Sequence, residues 1–246
     1  MGLTDNDIEN FKKERRRGTR YTPILLKPNL TEEQISRFAV NGYQYPSLEV
    51  RPYFKRHYLY GETMAHILGY VGKMNDKDVE RLKREDKFAN YAGTNDIGKL
   101  GIERYYEDIL QGTTGFEEVE INNRGKVIRT LRSRPAVAGK SIHLTIDLAL
   151  QRYITELLSG LKGAVVVLDP KDSSVLAMVS TPSYDNNLFV DGISSEDYKR
   201  LLNDLARPLY SRATQGAYPP ASTVKPFIAV AAQTENVITP NTTIFD

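Results

Sequence analysis

The sequence predicts an α+β fold in two parts, on three observations. An apolar, β-branched segment, Gly163–Asp169, returns as Ser174–Ser180 across a turn at Pro170–Ser173, which reads as a central hairpin. An amphipathic helix precedes that hairpin and a second helix, beginning near Ala221, follows it. An earlier hairpin, Phe116–Asn122 with Lys126–Leu131 around Asn123-Arg124-Gly125, is set apart by an extended, proline-bearing stretch, Arg132–Lys140.

Charge marks the same division. Residues 1–140 carry 25 Lys+Arg against 20 Asp+Glu, while 141–246 carry 8 against 11, so the halves stand at +5 and −3. The expected domains are therefore 1–140 and 141–246, each long enough to bury a core. A net charge of +2 gives no push toward nucleic acid. With no cysteine, disulfides, thiol catalysis and zinc fingers are excluded, which suits an oxidising compartment. No run approaches the roughly eighteen apolar residues of a membrane span.

In order along the chain, Thr4 caps a helix over 3–17 with Asp5 and Asp7 in its first turn, Ile8 and Phe11 as a thin apolar stripe and a basic tail that reads as a solvated end. Tyr21–Lys27 reads as a strand, and Thr31 with Gln34 forms a capping box for a helix to about Asn41. Leu48–Tyr60 is extended, its Tyr53, Tyr58 and Tyr60 expected as packed strand tyrosines rather than a stacking platform for bases. Helices follow at Glu62–Leu68 and Asp76–Arg84. Gly98-Lys99-Leu100-Gly101 precedes another helix but lacks the Gly-Lys-Ser/Thr of a phosphate loop. Ser141–Ile146 is expected as a strand. Asp147 caps the amphipathic helix, which carries Leu150, Tyr153, Ile154, Leu157, Leu158 and Leu161, and a short helix lies near Ser195–Leu202.

The pair that reads directly as chemistry is Ser222 and Lys225, within Gln215–Pro226. A spacing of three puts both side chains on one face of a first helical turn, where an amine can take the proton of a hydroxyl. Lysine becomes such a base when burial or a second cation disfavours its charge. Ser-x-x-Lys recurs in many surface helices. Here uncharged neighbours (Ala217, Tyr218, Ala221, Val224, Phe227–Ala232) predict a mostly apolar, buried helix, where a lysine needs a reason. Pro219, Pro220 and Pro226 pin the helix start near Ser222, where backbone N–H groups favour a developing oxyanion.

These motifs resemble a known family. Leu144-Thr145-Ile146-Asp147 with Gln151, then Ala164–Pro170, Val175–Asp185 and Tyr218-Pro219-Pro220-Ala221-Ser222-Thr223-Val224-Lys225-Pro226 are similar, in order, to the transpeptidase domain of class B penicillin-binding proteins, in their elongation-specific branch. Arg56–Gly61, Leu68–Val71 and Gly98–Leu110 resemble that family's N-terminal pedestal. Ser173-Ser174 departs from it, standing where Thr-Gly or Gly-Gly is commoner.

The resemblance implies a D,D-transpeptidase with Ser222 as nucleophile and Lys225 as base, acting without a cofactor on stem peptides ending in D-Ala-D-Ala and acylated by β-lactams. It also implies a membrane glycan polymerase and rod-shape scaffold proteins as partners, and an inner-membrane anchor with this region in the periplasm. In that subfamily an aspartate matching Asp246 contributes to a zinc site. The family's Ser-x-Asn/Asp and Lys-Thr-Gly motifs, which line the other walls of its site, do not follow Ser222 here, so these residues alone are expected to acylate poorly. Two other readings are a β-lactamase-like serine hydrolase, which would not need the first 140 residues, and a non-enzymatic docking module built on them.

Overall fold

Local capping sets several helix starts where the residues predict them. The computed structural model describes residues 3–17, 24–91, 94, 96–122 and 127–243. In helix α1 (Asp5–Arg17), the Thr4 hydroxyl accepts from the Asp7 N–H at 3.2 Å and the Asp7 carboxylate accepts from the Thr4 N–H at 2.9 Å. Helix α2 (Glu32–Asn41) opens with the expected Thr31–Gln34 capping box, and helix α3 spans Gly61–Leu68. Strand β1 (Val71–Lys73) pairs antiparallel with β2 (Asp96–Gly98), on either side of helix α4 (Asp76–Arg84). Short helices α5 (Gly101–Tyr105) and α6 (Glu107–Leu110) lead into the ribbon β3 (Phe116–Ile121) and β4 (Val127–Arg134); the expected turn at 123–125 lies outside the described residues.

Helix α7 (Leu148–Leu157) is capped by Asp147 and packs on the antiparallel hairpin β5 (Gly163–Leu168) and β6 (Val175–Thr181). In register, Val165 faces Val179 and Val167 faces Ala177, and with Ile154, Leu150 and Leu158 these make one core cluster. The period-two pattern of β5 leaves Ala164, Val166 and Leu168 on its outer side, exposed. Helices α8 (Ser195–Asn203), α9 (Arg212–Gln215) and α10 (Lys225–Thr234) complete a mixed α+β architecture.

The structure corrects four expectations. Residues 24–27 of the predicted Tyr21–Lys27 strand form no strand, and 21–23 lie outside the described residues. Pro23 and Pro28 flank the segment and have no N–H to give a ladder. Ser141–Ile146 runs beside β6 without a ladder, tied instead by the Thr145 hydroxyl to Val175 O at 2.7 Å and by the Asp147 N–H to Leu176 O at 2.8 Å. The expected linker Arg132–Lys140 is partly sheet: β4 continues to Arg134, and Val137 bridges Thr113. Of the tyrosines expected to pack, only Tyr58 is buried; Tyr53 and Tyr60 are exposed. What distinguishes Tyr58 is a buried partner, since the Tyr53 hydroxyl also donates, at 2.8 Å, to the Asn29 side chain but at the surface. Glu103 receives the Arg56 guanidinium and the Tyr58 hydroxyl, which itself accepts from the Val71 N–H at 2.9 Å. Burial, then the Glu103 charge, pushes the Tyr58 phenol far up.

Segment 58–70 is fastened to the second half by three amide side chains. The Gln151 amide nitrogen donates to Thr63 O and Met178 O, both at 2.9 Å, and its oxygen accepts from the Met178 N–H at 2.8 Å. Asn187 pairs with the Tyr58 backbone as a strand would, accepting its N–H and donating to its C=O at 2.9 Å. Asn186 donates to Gly69 O at 2.7 Å. Gly69 has φ +73° and ends α3 so close to Leu100 that a Cβ there would meet its carbonyl oxygen at 1.9 Å.

His66 sits in this seam, its ring edge-on to Tyr184 at 5.3 Å. Burial holds its pKa below the ordinary 6.5, with Arg212 adding to the effect and the Pro208 and Pro182 carbonyls opposing it. The folded chain therefore binds fewer protons than the unfolded chain just below pH 6.5, and stability falls as pH drops through that window. Denaturation midpoints at pH 5 and 7.5 are expected to differ less in His66→Phe than in the parent; an equal difference would deny His66 that role.

Candidate functional site

The segment leading to Ser222 is anchored before it turns. The Arg212 N–H, at the start of α9, donates to the Ser180 hydroxyl of β6 at 2.9 Å, and the Arg212 guanidinium holds Ala206 O at 2.5 Å. The Tyr210 hydroxyl donates to Gln215 O at 2.6 Å, closing the end of α9. Sequence reasoning missed Ser180, Tyr210 and Arg212. The polar run Ser211-Arg212-Ala213-Thr214-Gln215 before a glycine carried a signal for a capped helical turn, but not its contact with a strand 32 residues earlier.

Ser222 lies on a 3₁₀ turn, Ala221–Val224, and Lys225 begins α10. The expected α-helix from Ala221 is thus displaced by about one turn, for a covalent reason. Pro226 has no N–H to reach Ser222 O in the α pattern, so that carbonyl takes the Lys225 N–H instead. In a 3₁₀ turn residues three apart eclipse, a spacing that suits the expected pairing of Ser222 with Lys225. The Thr223 hydroxyl and N–H both donate to Pro220 O, closing the turn.

Ala221 holds φ +47°, a region that costs an L-residue on the order of 1–2 kcal/mol. Ala221→Gly is expected to relieve that strain and raise stability by roughly 0.5–1 kcal/mol; a lower denaturation midpoint would show the conformation to be unstrained. Ser173, the departure noted in the β5–β6 turn, likewise stands at φ +64°, where a glycine fits without strain.

The predicted burial of the helix is not observed. Lys225 is exposed, none of α10 is buried, and Phe227, Ile228 and Val230 are 74%, 58% and 65% exposed. Apolar composition states that a face is to be covered and not what covers it; among the described residues nothing does. No hydrogen bond joins the Ser222 and Lys225 side chains among the described residues. Two open clefts lie elsewhere, one lined by Asp86, Lys87, Asn90, Tyr91 and Asp108, the other beside α4. Asp246 lies outside the described residues. Among those described, no three His, Cys, Asp or Glu converge as metal ligands.

Residues 2–144 match the Penicillin-binding Protein dimerisation domain and 163–246 the Penicillin binding protein transpeptidase domain. Over its whole length the chain is 63% identical to Peptidoglycan D,D-transpeptidase MrdA of Escherichia coli (strain K12), spanning 39% of that relative. Pseudomonas aeruginosa PBP2, solved in complex with WCK 5153, matches with a TM-score of 0.66 and 44% identity over 80% of this chain and 40% of that one. Helicobacter pylori PBP2, solved in complex with MreC, matches with a TM-score of 0.77 and 26% identity over 99% of this chain and 48% of that one.

Proposed function

The chain belongs to the penicillin-binding proteins, and from that premise we propose that it forms the pedestal and the nucleophile-bearing first part of a peptidoglycan D,D-transpeptidase, divided at 140/141. The observation that carries the reading is Ser222 on a 3₁₀ turn closed by the Lys225 N–H, the segment before it held to β6 through α9. Ser222 Oγ attacks the carbonyl carbon of the penultimate D-alanine, and the Lys225 amine takes the hydroxyl proton. The C–N bond to the terminal D-alanine then breaks, and that residue leaves as an amine carrying the proton. An amine on a neighbouring strand attacks the resulting ester, forming the crosslink and restoring the serine. Water in place of that amine gives carboxypeptidase activity, and a β-lactam acylates the same serine. The acyl transfer needs no cofactor.

An inner-membrane anchor and a periplasmic site fit this reading; among the described residues no helix is long and apolar enough to cross a membrane. A rod-shape scaffold partner is supported by the H. pylori PBP2–MreC complex, and a membrane glycan polymerase is the expected second partner. The pedestal supports a docking role alongside catalysis: its β3–β4 ribbon exposes Phe116, Ile121, Val127, Ile128 and Leu131. A β-lactamase-like hydrolase is disfavoured, because the dimerisation-domain match covers 2–144.

The test compares the 246-residue chain with a protein that carries it together with a complete transpeptidase domain. Fluorescent penicillin is expected to label the longer protein stoichiometrically and the chain alone weakly, since Lys225 is exposed and no cleft wall surrounds it among the described residues. Stoichiometric labelling of the chain alone would contradict the need for further walls.

A further inference from the structure

The pedestal carries a basic cleft that the transpeptidase reading does not use. On α4, Lys77, Arg81 and Arg84 fall at i, i+4 and i+7 and so share one face of the helix. Lys99, just beyond β2, and Arg104 of α5 stand across from them. With Tyr70, Asn75, Asp78 and Leu100 these residues line a cleft of about 380 Å³. Five cations and a single carboxylate around one cavity give it +4, against +2 for the entire chain, so the charge there is concentrated and not an average of the surface.

The carboxylate is already engaged. Asp78 takes the Lys99 amine in an ion pair and the Asn75 N–H at 3.0 Å. Burial opposes its charge, yet those two partners hold its pKa below the usual carboxylate range. Glu85, Glu103 and Glu107 are likewise committed, while Asp76 and Glu80 on α4 itself are in no ion pair among the described residues. Glu107, which lies near enough to feel Arg81, accepts from the Gly98 N–H at 2.6 Å and from the Tyr91 hydroxyl at 3.1 Å. Glu103 is held by Arg56 and Tyr58, and Glu85 by Lys87 at 3.6 Å. Lys77, Arg81, Arg84 and Arg104 thus have no carboxylate within ion-pair distance among the described residues.

We propose that the cleft between α4 and the β2–α5 turn binds a phosphoryl ligand carrying at least two negative charges, of the diphosphate type, by the guanidinium groups of Arg81, Arg84 and Arg104 with Lys77. A guanidinium presents two parallel N–H donors to two oxygens of one phosphoryl group, a match that a lysine ammonium makes only as a point charge. Three such groups on two facing elements, in a cleft wider than a single phosphate, suit two linked phosphoryl groups. The same chemistry is offered by a soluble diphosphate or by phosphorylated lipid headgroups at a membrane surface.

The experiment separates these sources on the full 246-residue chain. Inorganic pyrophosphate is titrated by calorimetry, and flotation is measured with vesicles containing cardiolipin, which carries two linked phosphoryl groups, against phosphatidylglycerol vesicles of equal total charge. Binding in either arm is expected to weaken at least about tenfold in Arg81→Gln/Arg84→Gln/Arg104→Gln and to fall with added salt. A Lys12→Gln/Arg15→Gln/Arg16→Gln variant removes the same charge from α1 and is expected to bind as the parent does, with circular dichroism confirming that both variants fold. Pyrophosphate binding without flotation identifies a soluble ligand, flotation with cardiolipin well above that with phosphatidylglycerol identifies a headgroup, and equal flotation with both overturns the two-phosphoryl match. No binding in either arm, or equal loss in the α1 variant, overturns the proposal.

Discussion

Ser222→Ala, in a protein carrying this chain with a complete transpeptidase domain, is expected to lower the crosslinking rate by at least about 10⁴-fold, the scale seen when an activated serine nucleophile is removed. Covalent penicillin labelling should vanish with it. Folding should not change, because Ser222 is exposed and its hydroxyl makes no hydrogen bond among the described residues. That separation gives the substitution its meaning. Lost rate with an unchanged denaturation midpoint places the effect on chemistry, whereas a shared loss would mean the hydroxyl supports the turn. Retained labelling would move the nucleophile to another residue.

The second large effect concerns the seam between α3 and the β5–β6 hairpin. Gln151 is 1% exposed and all three of its hydrogen bonds go to backbone groups, on Thr63 and on Met178. Gln151→Leu keeps the volume and removes every partner, leaving the Thr63 and Met178 groups dry. Each buried group left unmade costs about 1–3 kcal/mol, and the three share one site, so the sum is roughly 3–5 kcal/mol. For a chain of this size that lowers Tm by roughly 8–15 °C. Tyr153→Ala, on the exposed side of α7, serves as the comparison and should shift stability far less. A small effect at Gln151 would show that the two halves are held chiefly by the apolar cluster of Ala65, Tyr184 and Phe189.

Helix starts were legible because capping is local: Thr4, Thr31 with Gln34, and Asp147 each act within three residues of themselves. The β5–β6 hairpin was legible because its alternation and its turn are adjacent in sequence. What failed depended on distant partners. Tyr58 is buried and Tyr53 is not because Glu103 stands 45 residues away to receive one of them. The β1–β2 pairing joins three-residue strands, too short for any periodicity to announce. At the site, the Ser222–Lys225 pair and its confinement by proline were readable, while the 3₁₀ geometry followed from one missing N–H whose effect is plain only once the Ser222 carbonyl is seen to bond Lys225. The exposed face of α10 is the converse case, since hydrophobicity predicts burial without naming the surface that supplies it.

The central claim is that Ser222 becomes the acylated residue. Mass spectrometry of the penicillin-treated protein bearing a complete transpeptidase domain tests it, with proteolysis to locate the adduct. One added β-lactam mass on the peptide containing Ser222, absent from Ser222→Ala, is the expected result. An adduct of the same stoichiometry on any other peptide would contradict it.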